Sequence, residues 1–114
     1  MTERRSELLK GTLDMMVLKA LEHEPIHGWG LAIRLEQTSG GILTIHHGAL
    51  FPALQRLTRK GLIKSHWRTT ENNRRARYYS ITPAGRRLLA QKMAEWERVV
   101  AGVNSVLELR PQEG

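Results

Sequence analysis

Apolar residues recur at helical spacing early in the chain: Leu9, Leu13, Met16 and Ala20, widened by Val17 and Leu21. This stripe predicts a helix over about Thr12–His23, with an earlier turn before Gly11. Pro25 limits it, because the residue before a proline avoids helical dihedrals. A second stripe, Leu31, Ile33 and Leu35, predicts a helix over about His27–Thr38, stopped by Ser39-Gly40-Gly41. Leu43-Thr44-Ile45 follows as a short extended piece. Leu50, Ala53, Leu54 and Leu57 then share one face of a third helix, about His47–Lys60, with Gly61 just past its end. Pro52 lies in its early turns, where a mild kink is expected.

The period then shifts from helical to alternating. Ile63 to Arg68 and Arg77 to Ile81 read as two strands, with Ile63, Ser65 and Trp67 on one face and Tyr79 and Ile81 facing inward. The intervening segment, Thr69 to Ala76, is polar and basic and predicts a hairpin tip. Thr82-Pro83 is a strong helix start, with Thr as cap and Pro at the first helical position. Beyond it, Leu89, Met93, Trp96, Val100, Val103 and Leu107 are spaced 4, 3, 4, 3, 4, a heptad seam for pairing with a second helix.

Three helices, a hairpin and a long helix predict a mainly α (α+β) fold. It is a winged helix-turn-helix with a two-stranded wing and a long C-terminal dimerisation helix, its third helix the reader. The expected organisation is a DNA-binding domain over 1–82, a dimerisation helix over 83–110 and a frayed tail over 111–114.

Composition narrows the function. The 114 residues suffice for one core and one appended element. No apolar run is long enough to span a membrane, and no signal-peptide core follows the N-terminus. With no cysteine, disulfides and thiolate metal sites are excluded, and a cytoplasmic location is the default. Charge is more telling. From Arg56 to Lys92 there are eleven Lys/Arg against one acid, Glu71, whereas the rest holds seven against ten. A block of net +10 beside a remainder of −3 suits a polyanion such as DNA, RNA or an anionic membrane.

Winding the third helix at 100° per residue puts Gly48, Pro52, Gln55 and Arg59 opposite the leucines, with Arg56 on the flank. Small residues at Gly48 and Ala49 permit close approach to a duplex. Gln55 suits adenine edges and Arg56 guanine edges, while Arg59 and Lys60 suit phosphates. His46, His47 and Lys64 complete the expected DNA-facing set near this helix, with Arg74, Arg75 and Arg77 on the hairpin for the backbone or minor groove. An ordinary solvated charged face is the competing reading of each. On the seam, Trp96 either packs a dimer core or, with Met93 and Val100, offers a stacking pocket to a small aromatic or hydrophobic effector.

Other chemistry is poorly supported. His23-Glu24-Pro25-Ile26-His27 matches H-E-x-x-H, but that zinc pattern needs both histidines on one helix face, and Pro25 interrupts it. His46-His47 are adjacent and do not converge on one ion. Gly28-Trp29-Gly30 lacks the strand and third glycine of a nucleotide loop. No nucleophile, base and orienting group appear together, so no catalytic residue, metal or cofactor is expected. A winged-helix protein-interaction or RNA-binding module is the alternative. It would lack both the small residues of the reading helix and the arginine cluster of the hairpin.

Several segments together resemble the PadR family of bacterial regulators over nearly the whole chain. They are Gly11-Thr12-Leu13-Asp14, His27-Gly28-Trp29-Gly30, Gly48-Ala49-Leu50-Phe51-Pro52-Ala53-Leu54, Leu57 through Gly61-Leu62-Ile63, Arg74-Arg75-Ala76-Arg77-Tyr78-Tyr79, and Ile81-Thr82-Pro83-Ala84-Gly85. The resemblance implies a homodimeric repressor that puts its recognition helices into the major groove and dimerises through its C-terminal helix. The single helix after the wing resembles the shorter branch of the family. Trp29 and Phe51 stand where the family commonly has Tyr, and His46 stands where a better helix cap, Ser or Asn, is common.

Overall fold

The structure, a computed structural model, describes residues 2–111, with side chains from Gly11 onward. The side chain of Leu9 and the tail residues 112–114 lie outside what is described. The elements are α1 (Thr2–Ala20), β1 (Ile26–His27), α2 (Gly28–Thr38), α3 (His47–Arg59), β2 (Ile63–Thr69), β3 (Arg75–Ile81) and α4 (Pro83–Leu107). The sheet is antiparallel in the order β1-β3-β2. The wing therefore has a third strand in addition to the expected two.

The chain must reach that extra strand at Ile26, and α1 stops at Ala20 rather than at the expected His23. Leu21 still bonds the Val17 carbonyl, but Glu22 N–H tightens onto Lys19 at 3.2 Å. Lys19 Nζ closes the turn on Glu22 Oε1 at 2.7 Å, a hydrogen bond that holds the Glu22 carboxyl below its ordinary range. The chain then lays Ile26 opposite Tyr79 and His27 opposite Tyr78. At its other end α1 runs back through Gly11 to Thr2, so Thr12 does not begin it.

His27 is the N-cap of α2, not its first residue. Its Nδ1 accepts the Gly30 N–H at 3.0 Å. Leu31, Ala32 and Leu35 face inward, whereas Ile33 is exposed, a correction to the expected stripe. Leu43 to Ile45 is not a strand. Side chains of α2 and its cap hold it instead: Glu36 Oε1 accepts from Ile45 N–H at 2.9 Å and Ser39 Oγ from Leu43 N–H at 3.1 Å.

The helix α3 continues through Pro52 and buries Leu50, Ala53, Leu54 and Leu57. Its cap, His46, makes no side-chain capping bond. At the far end Leu62 N–H bonds the Leu57 carbonyl and Gly61 N–H the Thr58 carbonyl, with Gly61 at φ +71°. This double closure needs a left-handed residue, which glycine supplies without steric penalty. Pairing in the hairpin runs from Ile63↔Ile81 to Thr69↔Arg75, so both strands extend further toward the tip than alternation alone predicts.

Thr82 joins three elements. Its Oγ1 accepts the Gly85 N–H at 3.1 Å, capping α4, and donates to the Gly61 carbonyl at 2.7 Å, while its N–H donates to the Leu62 carbonyl at 3.1 Å. Leu89, the seventh residue of α4, is only 2% exposed and joins Leu18, Leu31, Leu50, Leu57 and Ile63 in one core. Burying a leucine stabilises by about 1.5–3 kcal/mol, so the first turns of α4 belong to that core.

Gly85 is the tightest point of this clamp. A Cβ there would overlap the Leu62 carbonyl oxygen and press on Ile81 Cγ1. Gly85→Ala is therefore expected to lower the unfolding free energy by about 1–3 kcal/mol, the usual cost of overpacking. Urea unfolding at fixed protein concentration reads this as a lower midpoint, and an unchanged midpoint refutes the clamp.

Candidate nucleic-acid interface

With its leucines buried, α3 presents Gly48, Ala49, Pro52, Gln55 and Arg59 to solvent, with Lys60 beyond them and His46 before them. Arg56 behaves differently from the expectation. Its guanidinium donates to Asp14 Oδ1 of α1 at 2.7 Å, and its side chain is only 16% exposed. It is part of the α1–α3 packing and is not available to read a guanine. The sequence signal was present in Asp14, an acid within an apolar stripe, but only tertiary packing identifies its partner.

Between α3 and the sheet lies a cleft of about 360 Å³ bordered by Gln55, Thr58, Arg59, Ser65, Arg77 and Tyr79, with Leu54 at its floor. Arg77 Nε donates to Ser65 Oγ at 2.8 Å, which holds this guanidinium at the cleft. Thr58, Ser65 and Tyr79 were not among the expected contacts. Alternation along β2 and β3 puts Ser65 and Tyr79 on the inner face, but not opposite the end of α3.

The rest of the wing is cationic and ordered by aromatic rings. Arg75 and Arg77 lie over the Trp67 ring at 5.6 and 5.9 Å, and Arg68 over Tyr78 at 4.5 Å. Such contacts hold a guanidinium without neutralising it. Arg74 sits at the tip, where its N–H meets Thr70 Oγ1 at 3.3 Å. Among the described residues the ion pairs involve Lys19, His23, Arg34 and Arg56. None involves Arg59, Lys60, Lys64, Arg68, Arg74, Arg75 or Arg77. A concave, unneutralised basic surface beside a helix with small outward residues fits a duplex backbone and groove. His47 is turned between Trp29 and Phe51 and is not presented freely.

His23 is exposed beside Glu22 and His27 caps α2, so the H-E-x-x-H segment brings no two histidines to one ion. Among the described residues no group of three His, Cys, Asp or Glu side chains is placed to hold a metal.

On α4 the six expected seam positions divide: Trp96, Val103 and Leu107 are exposed, and the other three are not. Leu89 is buried in the core of its own chain, and Met93 packs partly against the same core. Val100 is half-buried. Exposed apolar side chains instead follow Trp96, Val99, Val103 and Val106, with Leu107 beside them. The exposed stripe lies there because the first turns of α4 are turned to bury Leu89. Trp96, 48% exposed, borders a cleft of about 250 Å³ with Gly11, Thr12, Met15, Lys92, Glu95 and Val99. Met93 and Val100, expected beside it, are replaced by Met15 and Val99.

The model of the PadR-like transcriptional regulator family matches residues 17–91. The chain is similar to a crystal structure of a PadR family transcriptional regulator from Eggerthella lenta, at 32% identity and TM-score 0.77, over 96% of this chain and 93% of that one. A transcriptional regulator from Clostridium thermocellum is 28% identical with TM-score 0.78, over 87% of this chain and 96% of the other. A PadR-like transcriptional regulator from Bacillus cereus is 25% identical with TM-score 0.78, over 91% and 99%.

The assignment of Arg56 to packing has a measurable consequence. Asp14→Ala leaves a largely buried guanidinium unpaired and is expected to cost about 2–4 kcal/mol of stability, somewhat less than breaking a fully buried pair. The double change Asp14→Leu with Arg56→Met removes both charges and should cost much less. Denaturant unfolding of the two variants compares them, and equal losses would show that the pair is not coupled.

Proposed function

This chain belongs to the PadR-like family of transcriptional regulators, and from that premise we propose that it is a homodimeric repressor binding a near-palindromic operator. The observation that carries the reading is the basic cleft between α3 and the wing, where Arg59 and Arg77 face the same space with no carboxylate among its lining residues. Each α3 enters a major groove, while Arg59, Lys60, Lys64 and the wing arginines hold phosphates. Gln55 is the outward polar side chain left to read a base edge.

The exposed stripe Trp96, Val99, Val103 and Val106 pairs with its copy in a second chain. Pairing sets the two α3 helices about 34 Å apart, one turn of DNA, and occupancy of the operator blocks transcription. A planar aromatic or hydrophobic effector enters beside Trp96. It relieves repression by binding better to the spacing of α3 helices that does not fit DNA.

Operator selection from random duplexes with the full chain is expected to return a near-palindrome. Affinity for it should fall by roughly 10³–10⁵ between 50 and 200 mM salt if six to ten phosphates are contacted. Binding indifferent to salt, or preference for single-stranded RNA, would sink the reading. The double variant Val99→Glu, Val106→Glu should sediment as a monomer at micromolar concentration and lose quenching of Trp96 fluorescence by a planar aromatic dye. A dimer that persists would move the interface elsewhere.

A further inference from the structure

The helices α2 and α3 begin at one corner of the surface, and three rings meet there. The Trp29 and His47 centroids are 4.6 Å apart with planes 19° from parallel, and those of His47 and Phe51 are 5.5 Å apart at 25°. A Cβ on Gly28 would touch Phe51 Cε1 at 3.4 Å, so α2 is seated against that ring. Nδ1 of His47 is buried and, among the described residues, has no hydrogen-bond partner. This imidazole therefore acts through its flat faces, as a spacer between two larger rings.

The stack does not serve to fill the core. Leu50 and Leu54 already complete the buried stripe of α3, while Trp29 remains 63% exposed and Phe51 48%. Paired large aromatic surfaces left in water mark a contact surface. Phe51 lies 100° around the helix from Leu50, next to outward Gln55. Its neighbours Gly48 and Ala49 offer no side chain long enough to screen it. The reading helix thus has an apolar amino end and a cationic carboxyl end. Phosphates take the cationic end. In the major groove the apolar group on a base edge is the C5-methyl of thymine.

We propose that Phe51 is a specificity-determining residue that reads a thymine through its C5-methyl, with His47 and Trp29 as positioning residues that hold its ring. The proposal rests on the duplex-binding reading above. The test replaces each thymine of the selected operator, one at a time, by deoxyuridine, which removes the methyl and keeps every hydrogen-bonding group. At one thymine per half-site, the full chain should lose about fourfold in affinity, the worth of one methyl removed from water. Phe51→Ala should bind the thymine and uracil duplexes equally, and Phe51→Leu, which keeps an apolar side chain in the core margin, should show a reduced preference. His47→Ala should flatten the preference and His47→Phe restore it. Selective binding that ignores every thymine-to-uracil change overturns this proposal and leaves the duplex reading intact. So does a Phe51→Ala variant that keeps the native chain's ratio of thymine to uracil affinity. Absence of selective duplex binding overturns both.

Discussion

The rotation of α3 about its own axis is the constraint from which the surface follows. Leu50, Ala53, Leu54 and Leu57 are buried on one side, and Arg56 is tied to Asp14 of α1 on a flank. A helix pinned by an apolar stripe and one ion pair has no rotational freedom left. Its small residues, Gln55 and Arg59 must face outward, its amino end must present Phe51, and its last turn must border the wing. An ion pair in a half-dry setting contributes little net stability against apolar replacements. Its value here is orientation, because either charge alone would be left without a partner.

The same rigidity extends to α4 through the turn at Gly61-Leu62. Thr82 binds the Gly61 carbonyl at the end of α3, closes the first turn of α4, and follows directly on β3. These bonds tie the end of α3, the wing and the root of α4 together. The distal half of α4 carries its apolar residues beyond these contacts. In the proposed dimer, a change in how two such helices pair would be transmitted to the spacing of the two α3 helices. This is the mechanical requirement for a ligand beside Trp96 to alter DNA binding, since a ligand acts only through a difference between two states.

On the proposed reading, the two ends of α3 divide recognition by chemistry. At the wing, guanidiniums are held by aromatic faces and a serine hydroxyl and remain unneutralised, which suits affinity for any duplex. At the junction with α2, three stacked rings offer apolar surface, which suits discrimination between bases. A cationic surface alone would bind DNA without choosing among sequences.

Much of this was legible before folding, because it depends on neighbours in the chain. The 3.6-residue stripes located α2, α3 and α4, the alternation located β2 and β3, Thr82-Pro83 marked the start of α4, and the arginines of the hairpin marked the basic surface. The ordered motifs also pointed to the family. Tertiary structure alone decided the rest. Two residues, Ile26 and His27, are too few to show a period, and they become a strand only because β3 lies alongside. Arg56 looked like a reader until Asp14, 42 positions away, took its charge. Leu89 fits a heptad as well as a core, and packing of α4 against α1 chose the core, leaving Val99 and Val106 on the exposed stripe. His47 and Phe51 lie one turn apart on α3, but Trp29 joins them in a stack only because two helix starts meet. Periodicity tells which side of an element is apolar. Which partner covers that side is a property of the packed whole.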